Sequence, residues 1–258
     1  MTDVAHAHSG FRRDPEAANT EAVEDYAKAI HALARRGGGP VGTSALAERL
    51  GVSPGTVTAM LKRMDELGLV EHEPYRGVSL TSAGEKVALE VIRHHRLIEA
   101  YLSEALGMPW DRVHDEAEVL EHYISEDLEE RIASALGDPV VDPHGDPIPD
   151  RRLSPEVEAE GVALAELEPG QAGVLARVSD SDPEMLRYLD DRGIRPGVLL
   201  RVAAKEPFGG ALTVSCAGRE HVLGGDLPHR MRVLAKVPRR GRGSGSGTQA
   251  GSRSPARG

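Results

Sequence analysis

Between His94 and His122 the chain sets imidazoles and carboxylates at helical intervals. His95 and Glu99 are four apart, as are His114 and Glu118, while Glu118, Glu121 and His122 fall at i, i+3 and i+4, so each set shares one helix face. Oxygen and imidazole donors converging in this way suit a divalent cation of hard to borderline character. The segment directly follows text that reads as a winged helix-turn-helix, which pairs a metal sensor with a DNA reader.

Helices must present these groups, and the sequence supplies them. Val23, Tyr26, Ile30 and Leu33 recur at helical spacing until Gly37 to Gly39 stop the run. A short helix follows, with Thr43 or Ser44 at its start and Gly51 at its end, and then Ser53-Pro54 opens VTAMLKRMDELG as N-cap and first helical position. Two short helices about a tight turn are a helix-turn-helix signature. The runs Leu69 to Glu73 and Val78 to Thr81, around Tyr75-Arg76-Gly77, read as a wing. A long helix is expected from Ser82 or Ala83 through Leu102, and another from Trp110 or Asp111 through Leu136.

Pro139, Pro143, Pro147 and Pro149 then deny helix continuation. Beyond them come short β-type runs, GVLARV, VLLRVAA, ALTVSCA and HVLGG, with a helical insert from Pro183 to Leu189, which read as a small barrel. The fold class is mainly α with small β. The expected division is a disordered lead-in at 1–19, a winged helix-turn-helix at 20–82, a helical metal-binding and dimerisation unit at 83–140, a Pro-rich linker at 141–158, an SH3-like barrel at 159–237 and a disordered Gly, Ser and Arg-rich tail at 238–258.

Composition narrows the function classes. A chain of 258 residues is comfortable for two or three small domains, and with only 3% aromatic residues its cores must be built from Leu, Val, Ile and Ala. A formal net charge of -10 argues against indiscriminate coating of nucleic acid, because such binding comes from neutralising phosphates. The charge is segregated, however: Arg35, Arg36, Arg49, Lys62, Arg63 and Arg76 lie in the DNA-reading part, and the acids concentrate at 116–130 and 156–168. The single cysteine, Cys216, excludes an intramolecular disulfide and a thiolate pair for zinc, and alternates with Leu212 and Val214 as a core residue. Neither a basic leader with an apolar run nor a long apolar span is seen, so a cytoplasmic protein without a membrane partner is expected.

The order helix-turn-helix, wing, His/Glu helices, Pro-rich link and small barrel, with RHHRLIEAYLSEALGMPWDRVHDEAEVLEHYISEDLEERI at 93–132 and DPHGDPIP at 142–149, resembles the diphtheria toxin repressor family of metal-dependent regulators. The resemblance covers roughly residues 20 to 236. It implies a first metal site at His95, Glu99 and His114, completed from the barrel by Asp180, Asp182 or Glu184, of which Asp182 and Glu184 are preferred. It implies a second at Glu118, Glu121 and His122, with Asp25 as the ligand from the leading helix. Manganese-type members have carboxylates where this chain has Asp25 and Glu118, and oxygen donors favour Mn2+, with Fe2+ the alternative. One residue departs from the pattern: Lys28 stands where compact manganese-type members offer a further carboxylate, which puts their bridged two-metal arrangement in doubt.

The function implied is a homodimeric, metal-activated repressor of metal-homeostasis genes, bound to a palindromic double-stranded operator. Ser53, Gly55, Thr56, Thr58 and Ala59 would approach base edges, and Thr43, Ser44, Lys62, Arg63 and Arg76 would hold phosphates. An iron-dependent repressor of iron-uptake genes is the near alternative. A metalloenzyme is the distant one, since no HExxH sequence occurs and no nucleophile elbow or phosphate loop is evident. A third is a winged-helix regulator of an organic ligand with a structural ion. His31, His72 and His94 are expected on the surface, and His144, His221 and His229 in turns or on the surface.

Overall fold

Val23, Tyr26, Ala27 and Ile30 form the buried stripe of the first helix, α1 (Pro15–Gly37), in the computed structural model, which describes residues 15–73, 76–154 and 161–235. The expected tail and most of the expected lead-in fall outside those residues, as does Tyr75 of the wing turn. α1 starts at Pro15, inside the stretch 1–19 expected to be a disordered lead-in. It packs with α2 (Thr43–Leu50), α3 (Pro54–Glu66) and the hairpin β1 (Val70–Glu73) and β2 (Gly77–Leu80) around Leu46, Val57, Met64, Val70 and Val78. Ser53 caps α3 through its side chain, which accepts from the Thr56 amide at 3.1 Å. Gly77 stands at φ +125, where a Cβ would lie 2.3 Å from the Val41 carbonyl oxygen, so glycine lets the wing dock on the helices.

α4 (Ser82–Glu104) is the long helix the sequence predicts. The second expected long helix is instead two: α5 (Val113–Leu120) and α6 (Glu126–Ala135). The cause lies in Ser125, whose hydroxyl accepts from the Leu128 amide at 3.3 Å and begins a fresh helix with Glu126, Asp127 and Glu129 in its first turn. The break turns Glu121 inward, where it is almost fully buried.

The C-terminal unit is an antiparallel sheet in the order β3-β8-β4-β5-β6-β7, from β3 (Val162–Ala163), β4 (Ala172–Val178), β5 (Leu199–Lys205), β6 (Leu212–Cys216), β7 (Arg219–Leu223) and β8 (Met231–Ala235), with α7 (Pro183–Asp190) between β4 and β5. Its core holds Leu175, Leu186, Leu200, Val214, Cys216 and, from the loop before α5, Trp110. Trp110 is fully buried there and stacks on His144 at 5.7 Å between centroids. The Pro-rich segment docks too: Gly145, at φ +89, sits where a Cβ would lie 1.9 Å from the Ala176 carbonyl oxygen. Val178 donates its amide to the His144 carbonyl at 2.9 Å. The indole and this loop therefore hold the barrel against α4 and α5.

Candidate metal centre and DNA-reading face

Among the described residues four overlapping groups of ligand-type side chains, one of them Glu99, Asp142 and His144, have donor atoms within 4.8 Å of one another, and two of the four bear on the sites expected from the sequence. In the first, His95 Nε2 lies 3.1 Å from Glu99 Oε1 and 3.1 Å from His114 Nδ1, and His114 Nδ1 lies 3.2 Å from Glu99 Oε1. The barrel contributes Asp180, whose carboxylate is 3.4 Å from His114 Nδ1. Asp182 and Glu184 are not brought to this group. Asp182 is the N-cap of α7 and accepts from the Glu184 and Met185 amides at 3.0 and 3.1 Å, a role its place before Pro183 dictates.

The second group joins α1 to the end of α5. His122 Nε2 stands 3.3 Å from Asp25 and 3.7 Å from Glu121, while its Nδ1 is 2.6 Å from the Glu24 carboxylate. Glu24 thereby holds a proton on Nδ1, so that loss of the other ring proton would free Nε2 toward Asp25 and Glu121, the arrangement of an imidazole ligand with an outer carboxylate partner. Glu118 does not join Asp25 and His122. It faces Lys28 Nζ at 2.8 Å, with His95 Nδ1 at 3.8 Å.

Charge in the cluster follows these contacts. Burial opposes protonation of His95, but its hydrogen bonds to Glu121 and Glu99 outweigh it and push the ring up to about 9. Burial of His122 is likewise outweighed, by hydrogen bonds to Asp25 and Glu24, to about 10. Glu99, although buried, is held well below the usual carboxylate range by His114, His144 and His95. Its Oε2 and the Nδ1 of His144 are buried, 3.6 Å apart, and without a hydrogen-bond partner. A concentration of negative carboxylates and ring nitrogens at this depth fits a divalent cation. His95, Glu99, His114 and Asp180 would hold one ion, and Asp25, Glu121 and His122 another.

Models of known families divide the chain in the same order. The iron dependent repressor N-terminal DNA binding domain matches residues 19–78, the iron dependent repressor metal binding and dimerisation domain residues 81–150, and the FeoA domain residues 162–233. The iron-dependent repressor IdeR of Mycobacterium tuberculosis is 34% identical over 228 residues, which cover 84% of this chain and 96% of that protein. The chain belongs to the diphtheria toxin repressor family. Another relative, the transcriptional regulator MntR of Escherichia coli, is 39% identical over 127 residues, 49% of this chain and 81% of that one. A solved structure of a manganese-dependent transcriptional repressor in complex with manganese superposes with a TM-score of 0.75 at 40% identity, covering 83% of this chain and all of that one.

In this member of the repressor family, α3 buries Val57 and Met64 and exposes Ser53, Gly55, Thr56, Thr58, Ala59, Lys62 and Arg63 on one face. Thr43 and Ser44 open α2 beside it, and Arg76 is exposed on the wing. Thr58 is partly spent on its own helix, donating to the Pro54 carbonyl at 2.9 Å.

Two histidines expected at the surface, His31 and His94, are buried, and so is His144, expected in a turn or on the surface and found in a buried turn. His31 pairs with Glu85 at 2.9 Å, and His94 reaches the Glu121 carbonyl at 3.2 Å and Glu129 at 3.1 Å. His144 lies under Trp110, with its Nε2 donating to the Trp110 carbonyl at 2.8 Å. Sequence reasoning did not single out Glu24, and it set His144 among the turn or surface histidines. The signal for Glu24 was its place beside Asp25 on the face that also carries Lys28; no local signal pointed to His144, whose partners come from α4 and the loop before α5.

Proposed function

We propose that the chain is a metal-activated, DNA-binding transcriptional repressor and not an enzyme, with Mn2+ as corepressor and Fe2+ as the alternative, acting in the cytoplasm on metal-homeostasis genes. The observation that carries this reading is the meeting of Asp25, from the leading helix of the DNA-reading unit, with Glu121 and His122 from the helical unit behind it. When bound, an ion would supply the positive charge on which these groups converge. Asp25 would then hold α1 against the end of α5, and the spacing of two reading helices would follow from the position of α1 in each protomer.

Oxygen and imidazole donors support manganese. The chain's one thiol, Cys216, is buried in the barrel core. Among the described residues no helix is long and apolar enough to cross a membrane.

A homodimer on a palindromic operator is supported by a groove lined by Ile98, Leu102, Leu106, Leu120, Ile124 and Leu128, of which Leu106 is 62% and Leu128 48% exposed. Large apolar residues left together at the surface of the helical unit suit a two-fold contact with a second copy. The test is binding of duplexes selected from a random pool, with Mn2+, Fe2+ or Zn2+ or after chelation. Metal-dependent retention of a palindrome is expected, with the largest gain in Mn2+, and binding unaffected by chelation would contradict the proposal.

A further inference from the structure

Between the two ligand groups lies a third convergence of donors, formed by His95, Glu118 and Glu121. It already has a cation within it. Lys28, one turn after Glu24 and Asp25 on α1, reaches in so that its Nζ donates to Glu118 Oε1 at 2.8 Å and to Glu121 Oε1 and Oε2 at 2.9 and 2.8 Å, with His95 Nδ1 at 3.3 Å.

The ring of His95 supports the same assignment. Its Nε2 faces Glu99 and His114, and its Nδ1 lies 2.5 Å from Glu121 Oε2. A neutral imidazole whose Nε2 lone pair is given to a cation carries its proton on Nδ1, and here that proton goes to Glu121. His95 therefore cannot also offer Nδ1 to an ion in the central cradle. That leaves the cradle two carboxylates, both bonded to an ammonium that the backbone of α1 carries there, so an ion from solution would have to break these bonds. Withdrawing Lys28 would also remove the ammonium paired with Glu121, whose side chain is fully buried, and leave it the His95 proton alone.

We propose that the Lys28 ammonium is the resident occupant of the His95–Glu118–Glu121 cradle, so that each chain loads metal only in the two flanking groups. The assignment rests on the reading of those groups as metal sites. Lys28 thereby sets how many ions the sensor takes, and it ties α1 to α5 by an ion pair before any metal arrives.

The experiment counts Mn2+ per full-length chain by elemental analysis and calorimetry, for the wild type and for Lys28→Glu, and records Mn2+ electron paramagnetic resonance for signals of exchange-coupled ions. The wild type is expected to take two ions without such coupling, and Lys28→Glu a third ion with it. Anomalous scattering from Mn2+-soaked wild-type crystals gives a measurement independent of how the variant folds. Peaks confined to the flanking groups, with Lys28 still bonded to Glu118 and Glu121, support the proposal. A peak between His95 Nδ1, Glu118 and Glu121, or equal ion counts and spectra in the two proteins, overturns it and leaves the metal-sensor reading intact. A wild type that takes no ion anywhere overturns both.

Discussion

His122 stands between two acidic residues that are consecutive in α1: its Nε2 is 3.3 Å from Asp25, and its Nδ1 is 2.6 Å from Glu24. One ring thus links the DNA-reading unit to the helical unit by both of its nitrogens, with Glu24 fixing the orientation in which the other face can serve a ligand. Glu24→Gln removes the carboxylate that fixes this tautomer. Outer partners of this kind are typically worth about 10- to 100-fold in metal affinity. A loss of that order is expected in Mn2+ calorimetry of the second group, with no change in the group around Glu99.

Raised imidazole pKa values carry a pH signature. His95 and His144 at about 9 and His122 at about 10 lie above the roughly 6.5 of an unfolded chain. The metal-free protein therefore binds more protons folded than unfolded. The stability from these rings is fully present below about pH 6.5 and is lost as pH climbs through 9 to 10. Thermal unfolding in chelator should show a falling midpoint across that window. Mn2+ must displace the Nε2 protons of His95 and His122, so its affinity should rise with pH over the window, and calorimetry in buffers of different ionisation heat should register proton release.

Arg63 and Lys62 lie exposed on α3 beside the residues that would meet base edges. Each is expected to hold phosphate rather than read sequence. Alanine at either position should weaken binding about equally on cognate and scrambled duplexes and lower the salt slope by about 1, as measured by fluorescence anisotropy over a salt series.

Trp110 ties the barrel to the helices, being fully buried among Leu175, Leu186 and Leu200 while belonging to the segment between α4 and α5. Trp110→Ala should cost about 3–5 kcal/mol in denaturant unfolding. It should also loosen Asp180 from His114, so that Mn2+ affinity falls in the first group and not in the second.

The fold was legible wherever chemistry and period acted locally. Ser53-Pro54 marked the start of α3, the Gly stop ended α1, and alternating runs marked β4 to β7. What escaped was decided by contacts distant in the chain. Apolar spacing runs on through Glu121 to Ser125, so the gap between α5 and α6 was hidden, and Ser125 with its acidic followers was its only local mark. His94 and His144 looked solvated because Glu129 and Trp110, which cover them, are far away in sequence. For the barrel residue near His114, the Asp182-Pro183 pair was readable as a helix cap and could have singled out Asp180. Helical spacing grouped Glu118 with Glu121 and His122, but Lys28 draws it toward His95 instead.

The measurement that bears most directly on the sensor is operator affinity with and without Mn2+ for the wild type and Asp25→Ala, by fluorescence anisotropy at fixed salt. Coupling between two sites is commonly worth roughly 5- to 150-fold, and the wild type should tighten by such a factor on adding Mn2+. Asp25→Ala should keep the metal-free affinity and lose the gain, although its first ligand group still takes up the ion. An Asp25→Ala protein that tightens on its operator as much as the wild type would contradict the claim that metal acts by holding α1 to the end of α5.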